Sequence, residues 1–247
     1  MAGSLSQLDL TLLGYALCGE YIPATIEKGF ISHKPITSVE RVQRYLSRVP
    51  NHAYGLRKAK RAIAQVIDGS RSPMETRLAL LLTLPKRRGG YGIERPVLNK
   101  RWDFSQEAAQ IAGMPYCLID VFWERALFGY EYLGSGFHDD LQRDTVRDLA
   151  IRHDGGETLP LVKQQVYNQK QLAAVAKTVN RKLGNRSRPL PAEFMKKNKA
   201  LMNELFPPAI AQSDGVARFA KPSYALPPEL AEKLDPKSCE FKPIPKL

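Results

Sequence analysis

Apolar residues follow two periods along the chain, that of a helix and that of a strand, and these periods predict its elements. The first 50 residues contain only short, irregular apolar stretches, which indicate a small helical N-terminal segment. Across residues 55–67 the apolar positions recur at helical spacing and predict a helix with Lys and Arg on its outer side. That basic cluster can contact phosphate or can be an ordinary solvated face.

A second helix has a clear start signal. Ser72 fits the N-cap, Pro73 the first helical position, and Glu75 the position that closes a capping box. The apolar face that follows ends before Pro85, where we expect the helix to stop. A glycine-rich loop then leads to a short predicted strand over residues 93–98, whose internal proline favours an edge or a bulge position.

Two apolar, aromatic-rich runs predict a β-hairpin. They span residues 116–123 and 126–133 and are separated only by Glu124 and Arg125, which we expect to form a two-residue turn. Both runs are apolar at successive positions, so both faces of these strands should be covered. We therefore expect the hairpin in the middle of a sheet.

The rest of the pattern predicts a helix over residues 139–151, a strand over residues 158–162 and a long helix over residues 164–183. Beyond Gly184 prolines become frequent, and we expect an extended chain after about residue 206.

The fold class predicted is α/β, in which helices flank a small mixed sheet of four or five strands. We expect an N-terminal helical segment over residues 1–70, an α/β core over 71–185 and a basic, proline-rich extension over 186–247.

Charge points to a polyanionic partner. The chain has 247 residues, is 43% hydrophobic, and carries a net charge of +12. Residues 161–200 contain ten Lys or Arg and one acid, Glu193. In the long predicted helix, Lys170, Lys177 and Arg181 share a side away from the apolar stripe. We expect nucleic acid, DNA in the first place, to bind there; a merely solvated surface is the alternative.

The cysteines indicate no disulfide framework and no zinc site, because Cys18, Cys117 and Cys239 are odd in number and far apart. A reduced cytoplasm is therefore the expected location. No apolar run approaches the roughly 18 residues that a membrane span needs, and we expect no membrane partner.

Asp120 and Glu131 are the leading candidates for chemistry, because an isolated ionised carboxylate is costly to bury in an apolar strand. With the two-residue turn, Asp120 faces Gly129 and has Glu131 as a diagonal neighbour on the same face. Diagonal Cβ atoms lie roughly 7 Å apart, close enough for both carboxylates to bind one Mg²⁺ or Mn²⁺ ion. Alternatively, each carboxylate pairs with an arginine such as Arg125 or Arg143.

Three further features have both a functional and a structural explanation. Glu75 is explained by the capping box, and it can also orient a water at the metal. His138 can act as general base, as metal ligand or only structurally. Arg143 and Arg147, four residues apart on one helix, can clamp a phosphate or be exposed without a role.

The order of several motifs resembles the very-short-patch-repair-endonuclease type of bacterial PD-(D/E)XK nuclease. The motifs are Ser72-Pro73-Met74-Glu75, Gly89-Gly90-Tyr91-Gly92, Pro96-Val97-Leu98-Asn99, Asp120, Tyr130-Glu131-Tyr132-Leu133-Gly134 with His138, Asp144 with Arg147, and Leu183-Gly184. The resemblance implies a restriction-endonuclease-like, nuclease core over residues 71–185. It also implies that Glu75, Asp120 and Glu131 are the acidic metal-site residues and that His138 assists them. Leu133 departs from it, since that position carries lysine in the superfamily and commonly aspartate in this branch.

The expected function is that of a divalent-metal-dependent endonuclease that hydrolyses DNA phosphodiester bonds. Because leucine can neither hold a water nor stabilise a developing charge, a catalytically inactive nucleic-acid-binding or regulatory protein is the alternative, for example one from a toxin–antitoxin or defence system. A third possibility is a protein-interaction module whose basic face meets an acidic partner. The C-terminal tail can serve as a docking segment for such a partner.

Overall fold

The chain forms two compact units in the computed structural model, one comprising residues 1–76 with 207–247 and the other residues 77–206. The structure describes residues 3–23, 30–133, 141–186, 188–206, 210–211 and 217–218. The three-part division expected from composition stays a prediction.

The first unit is mainly helical. Its elements are α1 (Gln7–Cys18), β1 (Tyr21–Pro23), β2 (Phe30–Ser32), α2 (Val39–Arg48), α3 (Leu56–Ile63), the first turn of α4 (Pro73–Thr83), and the short strands β7 (Ile210–Ala211) and β8 (Ala217–Arg218). Ser6 caps α1 by accepting a hydrogen bond from the Asp9 N–H at 3.0 Å. Gly14 permits close packing, because a Cβ there would lie 2.6 Å from Cγ2 of Val66.

The second unit contains a four-stranded mixed sheet. After α4 its elements are β3 (Val97–Asp103), α5 (Gln106–Ala112), β4 (Tyr116–Trp123), β5 (Phe128–Leu133), α6 (Leu141–His153), β6 (Glu157–Val162), α7 (Lys163–Tyr167), α8 (Gln169–Lys182) and α9 (Ala192–Leu205). The strand order is β3-β4-β5-β6; the first three are antiparallel and β6 is parallel to β5. The prediction of an α/β fold with a small mixed sheet and flanking helices is confirmed.

The sheet is central because its middle strands are apolar on both faces. Ile119, Val121 and Phe122 of β4 are each at most 1% exposed. On α8 the predicted apolar stripe, which includes Leu172 and Val179, is buried as well. Burial of such side chains is the main favourable contribution to folding.

The β4–β5 hairpin is present, but its predicted two-residue turn is wrong. Trp123 pairs with Phe128, so the connection comprises residues 124–127 and contains one turn of 3₁₀ helix. Leu127 closes it in the left-handed conformation with φ of +45°. Relative to the prediction the pairing moves by two positions, and each side chain therefore keeps its face.

Three other elements differ from the expectation. The strand predicted over residues 93–98 begins only after the proline, as β3. The long helix is interrupted at Asn168, whose side chain accepts hydrogen bonds from the N–H groups of Lys170 and Gln171 and caps α8. Helix α9 was not predicted, and its buried Asn198 donates a hydrogen bond to the Gly89 carbonyl at 2.8 Å.

In the described residues, Cys18 and Cys117 are buried and form no disulfide. No helix in that part of the chain is both long and apolar enough to cross a membrane. The segment expected to be extended after residue 206 lies almost entirely outside the described residues.

Candidate active site

Asp120 and Glu131 come together across the hairpin. Val121 pairs with Tyr130, and the next step of this antiparallel register places Asp120 opposite Glu131 on the same face. The prediction of a shared face agrees with this register, whereas the diagonal placement is wrong because the turn is two residues longer. Asp120 is half-buried, and its Oδ2 accepts a hydrogen bond from the Tyr132 N–H at 2.8 Å.

Glu131 is a buried carboxylate. Its residue is 9% exposed, and its Oε1 atom has no hydrogen-bond partner within the described part of the chain. Burial raises the pKa of this carboxyl well above 4.5, and the nearby charge of Asp120 raises it further. Removing Glu131 from water thus favours its protonated form unless a cation approaches.

A cleft of about 190 Å³ opens beside Glu131. Its lining includes Glu131 and Leu133 of β5, Asp144, Arg147 and Asp148 of α6, and Thr158 of β6. Thr158 is buried and donates a hydrogen bond from Oγ1 to Oδ1 of Asp148 at 3.1 Å. Asp120 stands outside this lining, although it is close enough to act on the pKa of Glu131.

Arg147 is the cation that faces these acids. Its side chain is 22% exposed, and Nη1 lies 3.6 Å from Oδ1 of Asp144. Burial lowers the pKa of Arg147, but the charges of Glu131, Asp144 and Asp148 outweigh burial and raise it. Its buried Nε has no hydrogen-bond partner in the residues that the structure covers. One guanidinium and several carboxylates therefore share the cleft.

Of the two arginines expected as alternative partners of the hairpin acids, Arg125 pairs with a different acid. It forms a two-point pair with Glu94 through bonds of 3.2 Å and 2.8 Å. Arg143 is half-buried on α6, and its pairing with either hairpin acid stays a prediction. The use of Arg143 and Arg147 as a phosphate clamp also stays a prediction.

Glu75 belongs to the first unit, where it caps the start of α4 together with Ser72, although the backbone N–H that donates to its carboxylate is that of Arg71 and not that of the N-cap Ser72. Oε1 accepts a hydrogen bond from Oγ of Ser72 and Oε2 accepts one from the Arg71 N–H, both at 2.8 Å. The Glu75 N–H donates to Oγ of Ser72 at 3.2 Å. The structural explanation of Glu75 is therefore confirmed, whereas a role at a metal stays a prediction.

The remaining predicted residues divide into two groups. Lys170, Lys177 and Arg181 are exposed on α8, as the predicted basic face requires. His138 lies outside the described residues. Asp148 is the site residue that sequence reasoning missed, and its spacing of four residues from Asp144 on one helix was the available signal.

Within the described ranges, no three His, Cys, Asp or Glu side chains are grouped so as to hold a metal ion. A site for Mg²⁺ would therefore rest on one or two carboxylates with water and phosphate as its other ligands, which is the usual arrangement for this ion. Comparisons with protein-family models, with curated proteins and with solved structures found no match to the chain. The resemblance to PD-(D/E)XK nucleases stays a prediction.

Proposed function

We propose that the second unit is a divalent-metal-dependent endonuclease that hydrolyses DNA phosphodiester bonds on a restriction-endonuclease-like core. The observation that carries this proposal is the β4–β5 register, whose next step after Val121 and Tyr130 sets Asp120 opposite Glu131. One carboxylate oxygen of Glu131 is buried there and has no hydrogen-bond partner among the described residues. The mixed sheet with flanking helices is the architecture that the resemblance implies.

The acids fit a hard divalent cation. Burial favours protonated Glu131, and a cation between Glu131 and Asp120 would favour the ionised forms of both. Binding should release a proton and tighten as pH rises. When bound, Mg²⁺ or Mn²⁺ would supply positive charge next to the phosphodiester as negative charge develops there.

The other residues have subordinate roles in this proposal. The exposed cations of α8 bind the DNA backbone. His138 acts as general base, as the resemblance implies. Arg147 keeps the cleft from accumulating uncompensated negative charge.

A plasmid-nicking assay tests the proposal. With Mg²⁺ or Mn²⁺ the wild type should nick supercoiled DNA, and EDTA, Asp120→Asn or Glu131→Gln should each reduce nicking at least a hundredfold. Glu124→Gln is a matched control, because Glu124 lies in the same hairpin but is exposed and pairs with Lys100. Equal nicking by wild type and Asp120→Asn would reject the proposed site.

Leu133 favours a second candidate, a catalytically inactive nucleic-acid-binding or regulatory protein. It lines the cleft two residues after Glu131, and an aliphatic side chain offers neither charge nor hydrogen bond to a reacting phosphate. If the wild type binds DNA at low salt but nicks it with neither metal, this second function replaces the first.

A further inference from the structure

The first unit has a basic helix pair that the proposed cleavage site does not use. Residues 39–63 contain seven Lys or Arg and one acid, Glu40. Helix α2 packs against α3, and residues 49–55 connect them. The two helices thus bring a concentrated positive charge into one part of the unit.

Helix α2 has two different sides. Val39, Val42 and Leu46 are half-buried. The opposite side shows the helical spacing i, i+3, i+4, i+7, and its residues are all exposed: Arg41, Arg44, Tyr45 and Arg48. Tyr45 is 68% exposed, so its ring contributes little to the core. Three arginines therefore share this side of α2 with one exposed aromatic ring.

Helix α3 repeats this arrangement. Its exposed side has Arg57, Lys60 and Arg61, again at a spacing of three and four residues, while Leu56 and Ile63 are buried. The connection between the helices adds a second exposed ring. That ring belongs to Tyr54, which is 90% exposed.

Most of these cations have no counter-ion in the described chain. Arg44 pairs with Glu40, and Lys58 donates to the Leu5 carbonyl at 2.6 Å and is thereby part of the unit's own packing. In that part of the structure, no carboxylate pairs with the remaining five: Arg41, Arg48, Arg57, Lys60 and Arg61. Their mutual repulsion would be relieved by an anionic partner.

We propose that the α2–α3 surface, formed by Arg41, Arg44, Tyr45, Arg48, Tyr54, Arg57, Lys60 and Arg61, binds nucleic acid that has unpaired bases. Arginine and lysine contact the phosphates, and exposed tyrosine rings stack on bases that are not enclosed in a duplex. An anionic surface without bases would use the cations but would leave the two rings without a partner. This binding function is separate from cleavage at Asp120 and Glu131.

The charge contribution is tested by fluorescence anisotropy of the full chain with a labelled single-stranded oligonucleotide, as DNA and as RNA, over a series of salt concentrations. Log affinity falls as log salt rises, and each single-strand phosphate contact adds about 0.7 to the steepness of that fall. Arg41→Gln/Arg48→Gln should therefore make the slope shallower by about 1.4. Lys196→Gln/Lys199→Gln removes the same charge from exposed positions of α9 and should retain at least three quarters of the wild-type slope.

Tyr45 supplies the measurement that separates base stacking from charge. Tyr45→Ala should weaken single-strand binding about tenfold, because stacking contributes roughly 1–3 kcal/mol per base. The salt slope should stay unchanged, Tyr45→Phe should bind like the wild type, and duplex affinity should not respond to either variant.

Equal single-strand affinity of Tyr45→Ala and wild type would overturn the proposal. The proposal would also be overturned if the arginine variant and its lysine control changed the salt slope equally. A larger loss of affinity of Tyr45→Ala for phosphatidylserine vesicles than for oligonucleotides would overturn it as well. These binding measurements are made with EDTA, so that their outcome does not depend on metal-dependent cleavage at Asp120 and Glu131. Failure of cleavage and failure of binding at the α2–α3 surface are therefore distinguishable.

Discussion

The Glu131 carboxyl makes the stability of the fold decrease as pH rises, whereas most carboxylates have the opposite effect. Burial and the neighbouring acids raise its pKa well above 4.5. Between the ordinary pKa and the raised one, the folded chain binds more protons than the unfolded chain. The contribution of Glu131 to stability is therefore fully present below about pH 4.5 and is lost as pH rises through the raised pKa.

We expect Glu131→Gln to remove this pH dependence. In urea denaturation with EDTA, the stability of the variant relative to wild type should increase as pH rises above 4.5. Glu124→Gln, at an exposed position, should follow the wild-type curve. Parallel curves for wild type and Glu131→Gln across this range would show that Glu131 ionises normally.

At this scale the sequence was informative where a side chain conflicts with its own strand. Asp120 and Glu131 could be selected because carboxylates are unusual in apolar strands. The placement of Arg147 and Asp148 could not be predicted, since it depends on how α6 packs against β5 and β6. No local sequence pattern encodes how α6 is rotated about its axis when it packs on these strands.

Among the elements, α4 illustrates a start signal that acts through hydrogen bonds. Ser72 both accepts from the Glu75 N–H and donates to its carboxylate. We expect Ser72→Ala to lower the free energy of unfolding by about 1 kcal/mol, the usual cost of losing an N-cap. Thermal or urea unfolding measures this change in free energy. Ser47→Ala, at an exposed position of α2, should change stability much less. An equal effect of both substitutions would contradict the cap's contribution.

Where element prediction failed, a local side chain or flanking residues overrode the periodicity. The apolar period continues through Asn168, but the Asn168 side chain caps a new helix there and ends the previous one. Helix α9 has Phe194, Leu201 and Leu205 at helical spacing. No element was predicted between Gly184 and residue 206, because the prolines before and after this spacing are typical of loops.

For the molecule as a whole, the net charge of +12 makes electrostatic association the expected mode of binding. The exposed basic face of α8 should contribute to duplex DNA binding independently of the α2–α3 surface. We expect Lys170→Gln/Lys177→Gln/Arg181→Gln to reduce the salt slope for duplex binding by about 2.7, at about 0.9 per phosphate contact. Filter binding at several salt concentrations measures it, and an unchanged slope would place the duplex elsewhere.

The α/β class and the mixed sheet followed from the sequence because β4 and β5 are apolar on both faces, which requires layers on either side. The division into two units was not apparent from composition, because it depends on contacts between distant segments such as Tyr21 and Thr76, joined by a 2.8 Å hydrogen bond. Long-range pairings of this kind have no short-range signature.

The hydrogen bond from Asn198 to Gly89 determines where the protein can be shortened. Asn198 also accepts from Nε2 of Gln169 at 3.0 Å, and a Cβ on Gly89 would lie only 2.5 Å from the Lys197 carbonyl oxygen. A fragment truncated ahead of α9 would lose both hydrogen bonds and would leave the Gly89 carbonyl and the Gln169 side-chain amide without Asn198 as a partner. It would also expose the ring of Tyr91, which packs against the ring of Phe194. Any shortened form of the protein should therefore retain α9 through Leu205.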